Sequence, residues 1–149
     1  VSKVTVTWNE PPSREQLLRK AEAGMRAGLV VLEGICKKKL AISNMGGKAP
    51  SAPGEYPHLG TGTLRSHITT AYKGIKGNKV VGALGVAAGA TRIMMIDQRN
   101  GKKTRVGDYA LILEVGGSRM AARPYLRPTA HDHGKEFSVA FIRAALRTK

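Results

Sequence analysis

Carboxylates are scarce in this chain of 149 residues: Asp and Glu together number 10, against 25 Lys and Arg, for a formal net charge of +15 at pH 7. Few are therefore at hand for paired acid–base work, and Glu55, Asp97, Asp108 and Glu114 are scattered along the chain. Cysteine is rarer still. Cys36 stands alone, which excludes a disulfide within the chain, and it falls on the apolar side of a predicted helix, where a small core residue is expected. Aromatic residues make up 5% of the chain, and none interleaves with the basic clusters, so no platform for stacking nucleobases is expected. Long apolar runs are missing too. The richest, residues 27–36, is broken by Gly28, Glu33 and Gly34, whereas a membrane-spanning helix needs about 20 apolar residues. The first eight residues alternate like a strand and lack the apolar centre of a secretion signal. These absences lead to the expectation of a cytoplasmic chain with no export signal and no membrane partner.

Catalytic patterns are likewise wanting. Gly46-Gly47-Lys48 lacks the preceding glycine of a phosphate loop, and Ala49 stands where Ser or Thr is required. Gly82, Gly85 and Gly89 do not have the spacing of a dinucleotide fingerprint. No nucleophile elbow is present, and no acid is spaced to complete a triad. His131-Asp132-His133 brings metal-ligand types together, but no cysteine or carboxylate set completes a site around it. The sequence thus assigns no catalytic, cofactor-binding or metal-binding residue, and the expectation is that the protein is not an enzyme.

What is present is a substantial apolar content, 42% of residues, enough at this length for one domain with its own core. Residues 2–8 read as a strand. Ser13, with Gln16 three positions on, reads as a capping box opening a helix that reaches about Leu40. Leu18, Ala21, Met25, Leu29, Leu32, Cys36 and Leu40 recur along it at spacings of three and four. Gly24, Ala27, Val31 and Gly34 add a small-residue stripe, read here as a face for a neighbouring subunit. Residues 43–62, dense in glycine and proline, read as an extended loop. Residues 66–72 and 79–86 read as strands joined by a basic turn over residues 73–78. A hairpin turning at Asn100-Gly101 is expected near residues 91–106. A short helix capped by Asp108 follows, stopped by Gly116-Gly117, and a last helix begins after Pro128 and carries Phe137 and Phe141. The expected fold class is α+β: an antiparallel β-sheet packed against a long N-terminal helix and a C-terminal helix, in a single domain over residues 1–149.

The positive charge is spread along the chain. Its densest clusters are Lys37-Lys38-Lys39, then Lys73, Lys76 and Lys79, then Arg99, Lys102, Lys103 and Arg105. Such a balance favours a polyanionic partner, an acidic protein surface or simple solvation. If DNA is the partner, phosphates and not base edges are the expected target. Lys73, Lys76, Lys79, Lys102 and Lys103 are the candidate DNA-facing residues.

Four segments occur in a fixed order: Ser51-Ala-Pro-Gly-Glu-Tyr-Pro-His58, Thr61-Gly-Thr-Leu-Arg-Ser-His-Ile68, Tyr109-Ala110 with Glu114 and Gly116, and Arg123-Pro-Tyr-Leu-Arg-Pro128. Together they resemble the neck or tail-completion family of long-tailed bacteriophages, the lambdoid putative tail-component proteins, with the lambda Z tail-completion protein a more distant likeness. Departures from the family pattern are His67 in place of a serine, Val115-Gly116-Gly117 in place of a Phe-Gly-Thr, and Thr129 in place of an alanine. The resemblance implies a virion protein, assembled in the host bacterial cytoplasm, that forms a homo-oligomeric ring between a head-closure or connector protein and a tail terminator protein. Sixfold symmetry is implied, with twelvefold as the alternative, around a channel for packaged DNA. No cofactor is implied. The candidate subunit and partner contacts are Pro53, Glu55, Pro57, His58, Arg65, Glu114, Arg123, Tyr125 and Arg127. Arg65, Arg123 and Arg127 are expected to pair with carboxylates such as Glu55 or Glu114. The alternative from composition alone is a small basic nucleic-acid-binding protein that contacts DNA phosphates.

Overall fold

The structure, a computed structural model, describes residues 12–41, 51–57, 62–77, 79–87, 89–90, 94–96, 101, 103–118 and 120–148. The strand expected over residues 2–8, and His58 and Lys102, lie outside them.

Helix α1, Arg14–Lys39, opens as expected: the Ser13 hydroxyl accepts from the Gln16 backbone N–H at 3.2 Å, and the Gln16 side chain accepts from the Ser13 N–H at 2.9 Å. This reciprocal cap satisfies two N–H groups that the helix itself leaves over. Its 26 residues give a rod of about 39 Å at 1.5 Å per residue. Along one side of it, Glu15–Arg19, Glu22–Arg26 and Glu33–Lys37 pair at i,i+4 with the acid on the N-terminal side, the better orientation for the helix dipole. Leu29, Leu32, Cys36 and the capping residue Leu40 are buried.

The short helix α2, Thr63–Ser66, leads into a hairpin of β1, Ile68–Lys76, and β2, Lys79–Val86. Here the expected boundaries shift. Ser66 belongs to a helix, and β1 runs on through the basic residues read as a turn, so that Lys76 pairs directly with Lys79. A bulge between Tyr72 and Gly74 makes room for Lys73 as an extra residue. Gly77, at φ +61°, takes the left-handed backbone that a two-residue hairpin turn demands. A second, shorter antiparallel pair joins β3, Met94–Ile96, to β4, Lys103–Arg105. It lies within the span where the sequence placed a hairpin. β4 passes directly into α3, Val106–Val115, so Asp108 sits in the first turn of that helix and is not its cap. Then come α4, Leu126–Asp132, and α5, Gly134–Arg147. The last helical region thus begins at Leu126, earlier than expected. Pro128 is accommodated because it is the third residue of α4, where no intrahelical N–H bond is needed.

The main core gathers Cys36, Leu40, Leu64, Ile68, Ala90, Val106, Ala110, Leu113 and Tyr125, contributed by α1, α2, β1, α3 and the entry to α4. A second contact layer forms where α5 lies along α1. A Cβ on Gly28 would stand 2.5 Å from the Phe137 ring, and one on Gly24 would stand 2.9 Å from the Phe141 ring. The two rings neighbour each other at 6.1 Å between centroids. Of the small-residue stripe on α1 read as a subunit contact, Gly24 is therefore covered by the chain's own C-terminal helix, as is Gly28 beside the stripe. Gly34, further along, meets no atom within 4 Å among the described residues. The α+β class is as expected: one face of the β1–β2 ribbon lies against α1, and α5 packs beside α1.

Candidate functional site

Segments that stand more than 70 residues apart meet at the start of α4. Glu114, near the end of α3, points its carboxylate at the first turn of α4. One oxygen accepts from the backbone N–H of Tyr125 at 2.9 Å and of Leu126 at 3.0 Å, and the other accepts from Arg127 at 3.0 Å. Three N–H groups that a helix start leaves without partners are thus satisfied by one carboxylate, which also complements the positive end of the helix dipole. The Glu114 side chain is only 10% exposed, so this charge is held where water cannot easily replace its partners.

Arg123 makes the second link. Its Nε donates to the Ser51 carbonyl at 2.7 Å and its Nη1 to the Ala121 carbonyl at 3.2 Å, while its backbone N–H donates to the Leu113 carbonyl at 2.7 Å. The Gly54 N–H in turn donates to the Ala122 carbonyl at 3.0 Å. The Gly/Pro-rich segment is thereby fastened to the strand-like stretch before α4. Within that segment, Glu55 folds back and accepts from the Ala52 N–H at 3.1 Å, closing a local turn. Tyr125, fully buried, fills the space beneath, and its Oη has no hydrogen-bond partner among the described residues. Burial, and secondarily the nearby Glu114 carboxylate, push its pKa well above the ordinary phenol range. The Thr129 hydroxyl donates to the Tyr125 carbonyl at 2.6 Å and lies 3.4 Å from the Tyr56 hydroxyl, to which Lys39 donates at 3.3 Å. Cys36 lies in the same core, and burial pushes its thiol up to about 11. A thiol so disfavoured as thiolate is a packing group and not a nucleophile.

The candidate contact residues therefore divide. Glu114, Arg123 and Tyr125 are committed to this hub within the subunit, Glu55 holds its own turn, and Pro57 is buried. Pro53, Arg65 and Arg127 are exposed, Arg127 with 79% of its side chain accessible. The expected arginine–carboxylate pairs are replaced, for Arg123, by bonds to backbone carbonyls. For Arg127 the expected pair with Glu114 is present within the subunit as a long ion pair, Nε to Oε1 at 3.9 Å. The role of Glu114 as a cap for α4 escapes sequence reading, because its partners are backbone groups 11 to 13 residues away.

The histidines of the His131-Asp132-His133 segment turn to different carboxylates. His131 Nδ1 lies 2.9 Å from Asp132, and His133 Nδ1 lies 2.9 Å from Glu136. Both carboxyls are held below the usual carboxylate range, chiefly by these hydrogen bonds. Among the described residues no group of three or more His, Cys, Asp or Glu is placed to hold a metal ion. No described helix is long and apolar enough to cross a membrane. An open groove lined by Glu114, Pro124, Arg127, Pro128 and His131 runs over the outer side of the hub.

Of the candidate DNA-facing lysines, Lys73, Lys76 and Lys79 cluster at the far end of the β1–β2 ribbon and are exposed, and Lys103 is exposed on β4. No family model matches the chain, and no curated protein or solved structure matches it.

Proposed function

We propose that this protein is a structural component of a bacteriophage neck. In this reading it is a subunit of a homo-oligomeric ring at the head–tail junction, completing the tail and joining it to the filled head around a channel for DNA. The observation that carries the reading is the hub. Three of the four segments that resemble the neck and tail-completion family converge on one another through Glu114, Arg123 and the turn at residues 51–55. Their polar groups are used to fix backbone, as the rigid subunit of an assembly requires.

The surface offers a second support. A ring is a closed heterologous assembly, in which each subunit presents two different complementary faces. Two separate helices carry exposed apolar residues: Leu111, Ile112 and Val115 on α3, and Val139, Ile142 and Leu146 on α5. On α5 these residues lie opposite the Phe137–Phe141 face that packs on α1, so they take no part in holding the domain together. In this reading the sixfold ring, or its twelvefold alternative, buries such faces between subunits. Its two ends meet a head-closure or connector protein and a tail terminator protein, and it reaches its place in the virion after assembly in the bacterial cytoplasm.

The test is a doubly substituted chain, Ile142→Asp with Leu146→Asp, which leaves the hub and core untouched. It should keep its circular dichroism spectrum and melting transition yet fail to form rings and to join tails to heads. Wild-type assembly by that variant would contradict a ring contact through α5.

A further inference from the structure

The charge on this chain is not managed uniformly. On α1, Arg19, Arg26 and Lys37 each bond a glutamate one turn away. The β1–β2 ribbon is different. From Ile68 to Val86 it contains no Asp or Glu, and none of the ion pairs among the described residues involves Lys73, Lys76 or Lys79. Burial falls steadily along it. Ile68 sits in the core at 1% exposure, whereas Ile75 is 39% exposed and Lys76 and Lys79 are open to solvent. The ribbon is an arm, fixed at its base and cationic at its tip.

The tip is also built against its own stability. Lys76 and Lys79 are direct cross-strand partners beside the turn, and like charges so placed destabilise a hairpin. The bulge adds Lys73 on the same end of the arm. Local choices that oppose the fold, with no compensating carboxylate, mark a surface selected for something outside the subunit.

We infer that the tip of the β1–β2 arm, through Lys73, Lys76 and Lys79, holds the phosphate backbone of duplex DNA without reading its sequence. Three features favour DNA over an acidic protein. All three cations are lysines, which are depleted from protein–protein interfaces, whereas arginine and aromatic anchors are enriched there. The ribbon's one aromatic, Tyr72, already lies under Arg26 at 4.4 Å and so offers no anchor. A two-stranded ribbon also has the width that the major groove of duplex DNA admits, about 12 Å, which brings side chains at the tip towards both flanking phosphate rows. Lysines act there as point charges suited to phosphates, without the forked donors that read base edges.

The proposal is independent of where the protein sits in a particle, and its failure would leave the neck reading standing. The experiment measures binding of the purified chain to two fluorescent 30-base-pair duplexes of unrelated sequence across a salt series. It is repeated with Lys73→Gln, Lys76→Gln and Lys79→Gln combined, and with a charge-matched control of Lys38→Gln, Lys135→Gln and Arg147→Gln. Equal melting transitions for the variants establish that both are folded. The arm variant is expected to reduce the slope of log K against log salt by roughly 2 to 3, from about 0.9 per phosphate contact, while the control changes it by less than about 1. The two duplexes should bind alike. Equal losses in arm variant and control, a clear preference for one duplex, or equally tight binding of poly-glutamate would each overturn the assignment.

Discussion

The hub and the arm are built from similar residue types to opposite ends. In the hub, Glu114 and Arg123 direct their charged groups inward onto backbone, and between them fasten α3, α4 and the turn at residues 51–55. In the arm, Lys73, Lys76 and Lys79 direct theirs outward, with no partner among the described ion pairs. A charge surrounded by N–H donors in a low-exposure site is a structural fastener, and its loss is felt by the fold. A charge on an uncompensated tip contributes nothing to the fold and is available for a partner. Sequence alone shows both only as charged residues; position in the fold separates them.

The sharpest way to break this comparison is to remove the fastener. Glu114→Ala leaves three helix-start N–H groups without an acceptor in a poorly hydrated site. The domain should lose about 3 kcal/mol in denaturant unfolding, from the loss of charge-assisted hydrogen bonds. The next largest effect is expected where α5 lies on α1. Gly28→Leu forces its side chain into the Phe137 ring, and overpacking of this kind costs about 1 to 3 kcal/mol, more than the gain in helix propensity returns. Arg123→Ala should cost about 1 to 2 kcal/mol and, more tellingly, should speed amide exchange at Gly54, whose bond to Ala122 depends on the same docking. Against these, the arm substitutions at Lys73, Lys76 and Lys79 should leave the melting transition unchanged or slightly raised, because removing Lys76 opposite Lys79 relieves repulsion.

The helix and core were legible in the sequence, and the hub was legible only in part. The capping box at Ser13 and Gln16 and the apolar spacing from Leu29 to Leu40 are local patterns, so α1 could be drawn to within a residue of its observed ends. The arm's length was missed because Lys73, Gly74, Lys76 and Gly77 read as a turn. Backbone pairing and the bulge at Tyr72–Gly74 extend the strand through residues whose side chains favour solvent. The hub's segments were singled out, yet Glu114 and Arg123 were expected to face other subunits. Within the subunit their hydrogen bonds go to main-chain groups, which leave no trace in side-chain chemistry. The glycines of α1 posed the same problem: a gap on a helix face shows that something packs closely, and only the placement of Phe137 and Phe141 shows that it is the same chain.

A pH series refines the contrast at smaller amplitude. The Lys37 and Thr70 bonds hold the Glu33 carboxyl below its ordinary value of 4.5. The folded state therefore binds a proton there less readily than the unfolded chain. That contribution is complete above the unfolded value and fades as the pH falls through the folded one, so Glu33→Gln should flatten the acid limb of the stability curve. Cys36 acts at the other end. Burial raises its thiol from 9.0 to about 11, so stability is complete below 9.0 and declines as the pH rises toward 11, and Cys36→Ala should remove that decline.

The neck reading is tested most directly by locating the protein in purified phage particles, through cryo-electron microscopy of the head–tail junction with the copy number measured independently by quantitative mass spectrometry. The account predicts a closed ring of six copies, or twelve, at the junction, with the hub inside each subunit and α5 at a subunit boundary. Absence of the chain from the particle, or its presence as scattered copies away from the junction, would contradict it.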